Sequence, residues 1–213
     1  MRLTREGIAA RVAQDIPHGS YVNLGIGVPT LVADFLPSDR QIILHSENGL
    51  LGMGGTAPSG LEDKDLLNAG KIHVTEQPGA SYFHHADSFA MMRGGHIDFC
   101  VMGAFQVSRN GDLANWRTSA SDSIPSVGGA MDLAAGARQV YVVMELFTKS
   151  GESKIVANCT YPLTGTACVD RVYSDYAIFE FSAGTIKVLE LFEPIELSEL
   201  ADRLALELKD ARN

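Results

Sequence analysis

Gln41-Ile42-Ile43-Leu44-His45-Ser46-Glu47-Asn48-Gly49-Leu50-Leu51-Gly52-Met53-Gly54-Gly55 runs from a continuously apolar segment to a carboxylate, and then through four glycines within eight residues. The apolar run at Ile42, Ile43 and Leu44 does not alternate, which predicts a strand over 41–45 buried on both faces. Segments 72–75, 97–102 and 140–144 read the same way, with helical patterns between them at 63–69, 87–92 and 130–135. This alternation predicts an α/β fold with a mostly parallel sheet flanked by helices. Ligands of such sheets bind outside the carboxyl ends of the strands, where Glu47 falls. The glycines after it allow close backbone approach and let N–H groups turn toward a ligand. Taken alone, Glu-Asn-Gly is better read as a strand-ending Asn-Gly turn carrying an exposed glutamate, and only the wider context favours a functional carboxylate.

Outward from this stretch, Thr4 is a suitable N-cap for a helix with Ile8, Val12 and Ile16 on one face. A short strand over 20–24 ends at Gly25 and Gly27, and Pro29 suits the first turn of a helix bearing Leu31, Val32, Phe35 and Leu36. Beyond Ser150 the pattern changes to 176–181 and 185–191, an antiparallel pair, and an amphipathic helix follows over 198–208. Nothing in residues 1–213 reads as a repeat, a linker or a charge run, so a single domain is expected.

Composition narrows the function. A net charge of −9 excludes a general phosphate-backbone binder but not a small anion held by local cations. No segment approaches the roughly 18 apolar residues of a membrane span. Glu6 and the lack of a following apolar run argue against a signal peptide. Cys100, Cys159 and Cys168 are odd in number and lack Cys-x-x-Cys spacing, as in a reducing compartment, so the cytoplasm is expected.

Several templates compete for the chemistry. Gly25-Ile26-Gly27 lies between a strand and a helix, with Glu47 about twenty residues on, as at a dinucleotide site; Thr30, however, stands where the third glycine belongs. A nucleotide-binding module is therefore a remote alternative. There is no Gly-x-Ser-x-Gly elbow and no phosphate loop ending in Gly-Lys. His84 and His85 are adjacent on one segment and do not predict a metal site; Asp87 reads as the cap of the helix that follows.

Ser46-Glu47-Asn48-Gly49-Leu50-Leu51-Gly52 resembles the signature of the β half of the succinyl-CoA:3-oxoacid CoA-transferases, the class I CoA-transferase family. Further blocks occur in the same order: Val22-Asn23-Leu24-Gly25-Ile26-Gly27-Val28-Pro29, Asn68-Ala69-Gly70-Lys71, Ser88 through Gly95, Gly111 through Trp116, Gly128-Gly129-Ala130-Met131-Asp132-Leu133, and Cys159 through Gly165. The resemblance spans about residues 5 to 195 and implies the three-layer fold of that family. It also implies that Glu47 attacks an acyl-CoA thioester, forms a mixed anhydride, and is converted by CoA thiolate to a glutamyl-CoA thioester, with ping-pong kinetics. A carboxylate is ionised at neutral pH and needs no general base, but its anhydride must be kept from water and its tetrahedral oxyanion stabilised.

By the same resemblance, Gly129 supplies an N–H to that oxyanion with Gly128 beside it, while Asn23, Asn48, Gly49 and Lys71 lie near CoA or the carboxylates. Read without it, Gly128-Gly129 is a turn leading into a helix and Lys71 a solvated lysine. No cofactor is implied, CoA being a substrate, and no metal, nucleic acid or membrane. The implied partner is an α subunit, as αβ or α2β2, that completes the active site.

Segments 81–89, 115–129 and 148–154 are most similar to 3-oxoadipate CoA-transferases, enzymes of aromatic-compound degradation through the β-ketoadipate pathway. Acetoacetate- and short-chain fatty acid-specific β subunits are the alternative. Arg117, His84 and His85 are candidates for the extra carboxylate of 3-oxoadipate. Leu146 departs from the histidine that many relatives carry after the Met-Glu pair.

Overall fold

Thr4 caps the first helix as its position predicts, its hydroxyl oxygen accepting the Gly7 N–H at 3.1 Å. The structure, a computed structural model, describes residues 2–118, 127–192 and 194–212. Helix α1 (Arg5–Asp15) buries Ile8, Ala9, Val12 and Ala13. Strand β1 (Tyr21–Leu24) is followed by 3-10 helices at Val28–Phe35 and Ser38–Arg40, and then by β2 (Ile43–Ser46), β3 (Leu50–Thr56) and β4 (Val74–Tyr82). Next come α2 (His85–Arg93), β5 (Phe99–Gly103), β6 (Gln106–Ser108), β7 (Leu113–Ala114), α3 (Ala130–Gly136) and β8 (Gln139–Met144). The chain finishes with β9 (Ile155–Val156), β10 (Arg171–Ser174), β11 (Ala177–Ser182), β12 (Thr185–Leu191), α4 (Leu197–Leu204) and β13 (Lys209–Asp210).

Ten strands form one sheet in the order β13-β12-β11-β10-β8-β5-β1-β2-β3-β4, and β7-β6-β9 form a small second sheet. The central run β10-β8-β5-β1-β2 is parallel; antiparallel hairpins extend it at both sides. Alternate residues of the central strands enter opposite cores. Phe99 and Val101 of β5, with Tyr141 and Val143 of β8, pack with α1 and Val32. Cys100, Met102, Val140 and Val142 pack on the other face, with Met92 of α2, Leu133 of α3 and Leu200 of α4. Burial on both faces is why these strands are apolar throughout, and it makes a three-layer α/β domain.

The strand order reverses at β1. Its sequence successor β2 lies on one side, and β5 and β8 lie on the other. A crevice outside the carboxyl ends of the strands is expected at such a switch point.

The structure corrects several local expectations. Segment 63–69 is a loop, not a helix: Asp63 Oδ1 accepts the Asp65 N–H at 2.9 Å and Asn68 Oδ1 accepts the Ile72 N–H at 3.0 Å. Such local side-chain bonds divert the backbone from helix formation. The helix after Pro29 is 3-10, with the Thr30 N–H bonded to Gly27 O. Segment 72–75 is not a doubly buried parallel strand but the beginning of β4, a largely exposed antiparallel edge. The cap of α2 is His84, whose Nδ1 accepts the Ala86 N–H at 3.1 Å, and Asp87 lies within the first turn. The last helix stops at Leu204, where Ala205 turns left-handed, and the chain then adds β13 alongside β12.

Candidate active site

Four parallel strands end at one cavity of about 540 Å³. Asn23, Leu24 and Gly25 reach it from β1, Glu47 from the end of β2, Met102 and Gly103 from β5, and Met144 and Glu145 from β8. Its size lies within the range of small-molecule sites. The turn at the start of α3 supplies Val127, Gly128, Gly129 and Ala130 to the opposite wall.

Glu47 is held in the turn of the β2–β3 hairpin. Ser46 pairs with Leu50, and the Gly49 N–H closes the three-residue connection on Ser46 O at 3.0 Å. Gly49 has φ +111°, and a methyl group there would collide with the carbonyl oxygen of Phe83. Its glycine is therefore demanded by backbone packing. Asn48 is exposed and donates Nδ2 to Leu67 O at 2.8 Å, tying the turn to the loop between β3 and β4. Neither Asn48 nor Gly49 lines the cavity.

Gly128 and Gly129 differ in what they require. Gly128 has φ +45°, and a methyl group there would come no closer than 3.9 Å to Glu47 Oε1. Gly129 has an ordinary φ of −86°, yet a methyl group would collide with Glu47 Oε2 and crowd the Phe89 ring at 3.3 Å. Glycine at 128 answers to the backbone; glycine at 129 leaves room for the carboxylate.

Lys71 stands outside the cavity wall, exposed and at φ +62°. It ends a turn closed by its N–H on Asn68 O at 3.0 Å. Within that turn Ala69 does line the cavity and donates its N–H to the Ser46 hydroxyl at 3.2 Å. His84 and His85 lie at the start of α2, with His85 against the Phe89 ring at 4.7 Å. The Arg117 guanidinium lies over the Trp116 ring at 5.9 Å. Part of segment 115–129, namely 119–126, lies outside the described residues.

Other residues of the site were not singled out by the sequence. Arg5 reaches the cavity from α1 but is paired with Glu145 at 2.9 Å; Lys154, also in the wall, has no ion pair among the described residues. His45 is 1% exposed, two residues before Glu47, and burial lowers its pKa to about 4. Cys100, paired in register with Asn23, is completely buried, which drives its thiol pKa far up. Cys159 and Cys168 are pushed up to about 11 by burial, so all three are poor nucleophiles. No cluster of metal-ligating side chains occurs among the described residues. Nor is any described helix long and apolar enough to cross a membrane.

At the end of a parallel strand, then, a carboxylate lines a cavity and is faced by a glycine that makes room for it. Residues 5–199 match the Coenzyme A transferase family, and this chain belongs to it. It is 61% identical over 199 residues to a subunit of the 3-oxoadipate CoA-transferase of Pseudomonas putida, covering 93% of each chain. It is 58% identical over 210 residues to the subunit of the same name from Acinetobacter baylyi, covering 99% of this chain and 97% of that one. The fold is similar to that of an acyl-CoA transferase, YdiF, from Escherichia coli O157:H7, with a TM-score of 0.76 at 17% identity. That likeness covers 98% of this chain and 42% of the longer one.

Proposed function

We propose that this chain is the β subunit of a two-component enzyme that moves CoA from succinyl-CoA to 3-oxoadipate, with Glu47 as the carrier. The carboxylate of Glu47 attacks the thioester carbonyl and expels CoA thiolate, giving a mixed anhydride. The thiolate then attacks the Glu47 carbonyl, releasing succinate and leaving a glutamyl-CoA thioester. A carboxylate of 3-oxoadipate attacks that thioester, and the steps run in reverse to restore Glu47 and form 3-oxoadipyl-CoA. This is covalent catalysis with CoA as a substrate and no further cofactor.

The observation that carries this reading is the fit between Glu47 and Gly129, where any side chain would collide with the carboxylate oxygen. Gly129 N–H is the proposed oxyanion donor, with Gly128 shaping the turn, and one well-placed donor contributes about 3–4 kcal/mol to such a step. Lys154 serves the anionic substrates from the cavity wall as a local cation in a chain of net charge −9, while Asn23 faces the substrate from the end of β1 through its amide oxygen. Asn48, Gly49 and Lys71 act through the hairpin and the neighbouring turn. The choice of 3-oxoadipate over acetoacetate draws on the two relatives named for that substrate. The same names, each given to one subunit of a larger enzyme, support an α subunit as partner, in an αβ or α2β2 complex. We place the reaction in the cytoplasm, in keeping with three cysteines free of disulfides.

Incubating the reconstituted α–β enzyme with succinyl-CoA should add CoA, less water, to the Glu47 peptide in a mass spectrum; Glu47→Gln should abolish the adduct and turnover. Full activity of that variant would overturn the assignment. Rates with 3-oxoadipate and acetoacetate, measured side by side, test the substrate.

A further inference from the structure

Three buried polar side chains meet behind Glu47. Asn23 is 3% exposed on β1, His45 is 1% exposed on β2, and Ser88 is fully buried on α2. Asn23 Nδ2 lies 3.0 Å from His45 Nδ1 and 3.2 Å from the His45 carbonyl oxygen, while Ser88 Oγ lies 2.9 Å from His45 Nε2. A carbonyl only accepts, so the atom facing it must be the amide nitrogen, which only donates. Nδ1 must therefore accept, which puts the ring proton on Nε2, where it is donated to Ser88. The bonding is consistent only for a neutral imidazole in this tautomer.

Two consequences follow for the site. Both hydrogens of the Asn23 amide are committed to His45, so the oxygen is what Asn23 can present to the cavity it lines. The ring also couples the end of β2 to α2, whose next residue, Phe89, borders Gly129. The network thus runs from Asn23 through His45 and Ser88 toward the glycine facing the Glu47 carboxylate. The flanking residue Ser46 is held from the other side by the Ala69 N–H.

We propose that His45 is a positioning residue for the transfer reaction, fixing the Asn23 amide and clamping α2 to the strand end that carries Glu47. The proposal rests on Glu47 as the reacting carboxylate. His45 stands outside the cavity wall and acts through Asn23 and Ser88. Burial keeps the ring neutral, since its pKa falls to about 4.

The test uses the reconstituted α–β enzyme with His45→Gln and His45→Met. A glutamine can accept from Asn23 through its oxygen and donate to Ser88 through its nitrogen; methionine fills similar space without either bond. Misplacement by about an ångström costs on the order of 100-fold in rate. His45→Met should therefore slow both kcat and glutamyl-CoA formation by about 10- to 100-fold, with KM for succinyl-CoA within about twofold. His45→Gln should recover most of that rate. Ser88→Ala, a smaller change, should lower kcat by about 3- to 10-fold while remaining folded. Wild-type kcat in folded His45→Met or Ser88→Ala would overturn the proposal. So would equal rate losses in the Gln and Met variants that match their loss of folded protein. Absence of the thioester in the wild-type enzyme would instead overturn the reading of Glu47 and take this proposal with it.

Discussion

Two hairpins flank the parallel strands of the main sheet, and they use left-handed backbone for different ends. The β2–β3 hairpin turns at Glu47-Asn48-Gly49 and feeds a cavity residue. The β11–β12 hairpin turns at Ala183-Gly184, with φ of +47° and +76°, and none of its residues lines the cavity. In the first, glycines stand where a methyl group would hit backbone: Gly49 against Phe83, and Gly52 against Ala80 at 3.0 Å. In the second, an alanine is tolerated in the left-handed region and Gly184 has 3.4 Å of clearance to Asn110 Oδ1. The contrast separates a turn packed on all sides to aim one carboxylate from a turn that only reverses the chain.

The largest expected effect is at Gly49. Gly49→Ala combines a positive φ with a collision against main chain that cannot swing away, so it should cost about 3 kcal/mol or more of stability. Gly184→Ala should cost about 1–2 kcal/mol, the penalty of left-handed backbone alone. Urea midpoints of the two variants measure the difference. Equal losses would mean that the first hairpin is no more constrained than the second.

Acid should distinguish them next. The His45 pKa falls from an ordinary 6.5 to about 4 in the folded protein because burial disfavours the charged ring. Below pH 6.5 the unfolded chain takes up this proton and the folded one does not. Stability should therefore be complete above about pH 6.5 and drain as pH falls toward 4, by up to about 3 kcal/mol. On the other hairpin, the Glu180 carboxyl is held below its usual 4.5 first by its hydrogen bond from Lys187, so its contribution persists above that value and is lost only at lower pH. Stability curves from pH 7 to 4.5 should thus flatten in His45→Gln and be unchanged in Lys187→Met. A His45→Gln curve parallel to the wild type would show that the ring does not titrate in this window.

Rate and stability should separate at the paired glycines opposite the first hairpin. Gly129→Ala meets no backbone strain but displaces the Glu47 carboxylate, so kcat should fall about 100-fold with little change in Tm. Gly128→Ala strains the backbone at φ +45° yet leaves Glu47 clear, and should cost about 1 kcal/mol with a much smaller rate effect. Kinetics and thermal unfolding on the same preparations decide between them.

What could be read in the sequence follows from the range of the forces involved. The central strands were legible because burial on both faces leaves an unbroken apolar run at Ile42–Leu44 and Val140–Met144. Glu47 was legible because a strand end, a carboxylate and a glycine cluster coincide within a few residues. The conformation of β3 was not: glycines 52, 54 and 55 carry no side-chain pattern that marks a strand, yet they lie in one, and their missing side chains admit its neighbours, Thr75 and Ala80 among them. Helix 63–69 failed because apolar spacing does not register that Asp63 and Asn68 bond to nearby N–H groups. The role of His45 was hidden for a different reason. Its partners, Asn23 and Ser88, lie 22 and 43 residues away, and a lone polar residue in an apolar run carries no mark of the contacts that satisfy it.

The smallest effect belongs to the second hairpin. Ala183 at φ +47° carries a side chain in a region that favours glycine or asparagine, in a two-residue turn where both central residues are left-handed. Ala183→Gly removes that strain but adds freedom to the unfolded chain, so the two terms largely oppose one another. A net gain of about 0.5 kcal/mol is expected, equivalent to a Tm rise of about 1–2 °C in a chain of this size. Because this turn contributes nothing to the cavity wall, kcat and KM should stay at wild-type values while Tm rises. A rate change in Ala183→Gly would show that the far side of the sheet does communicate with Glu47, and that the division of labour between the two hairpins is not one of position alone.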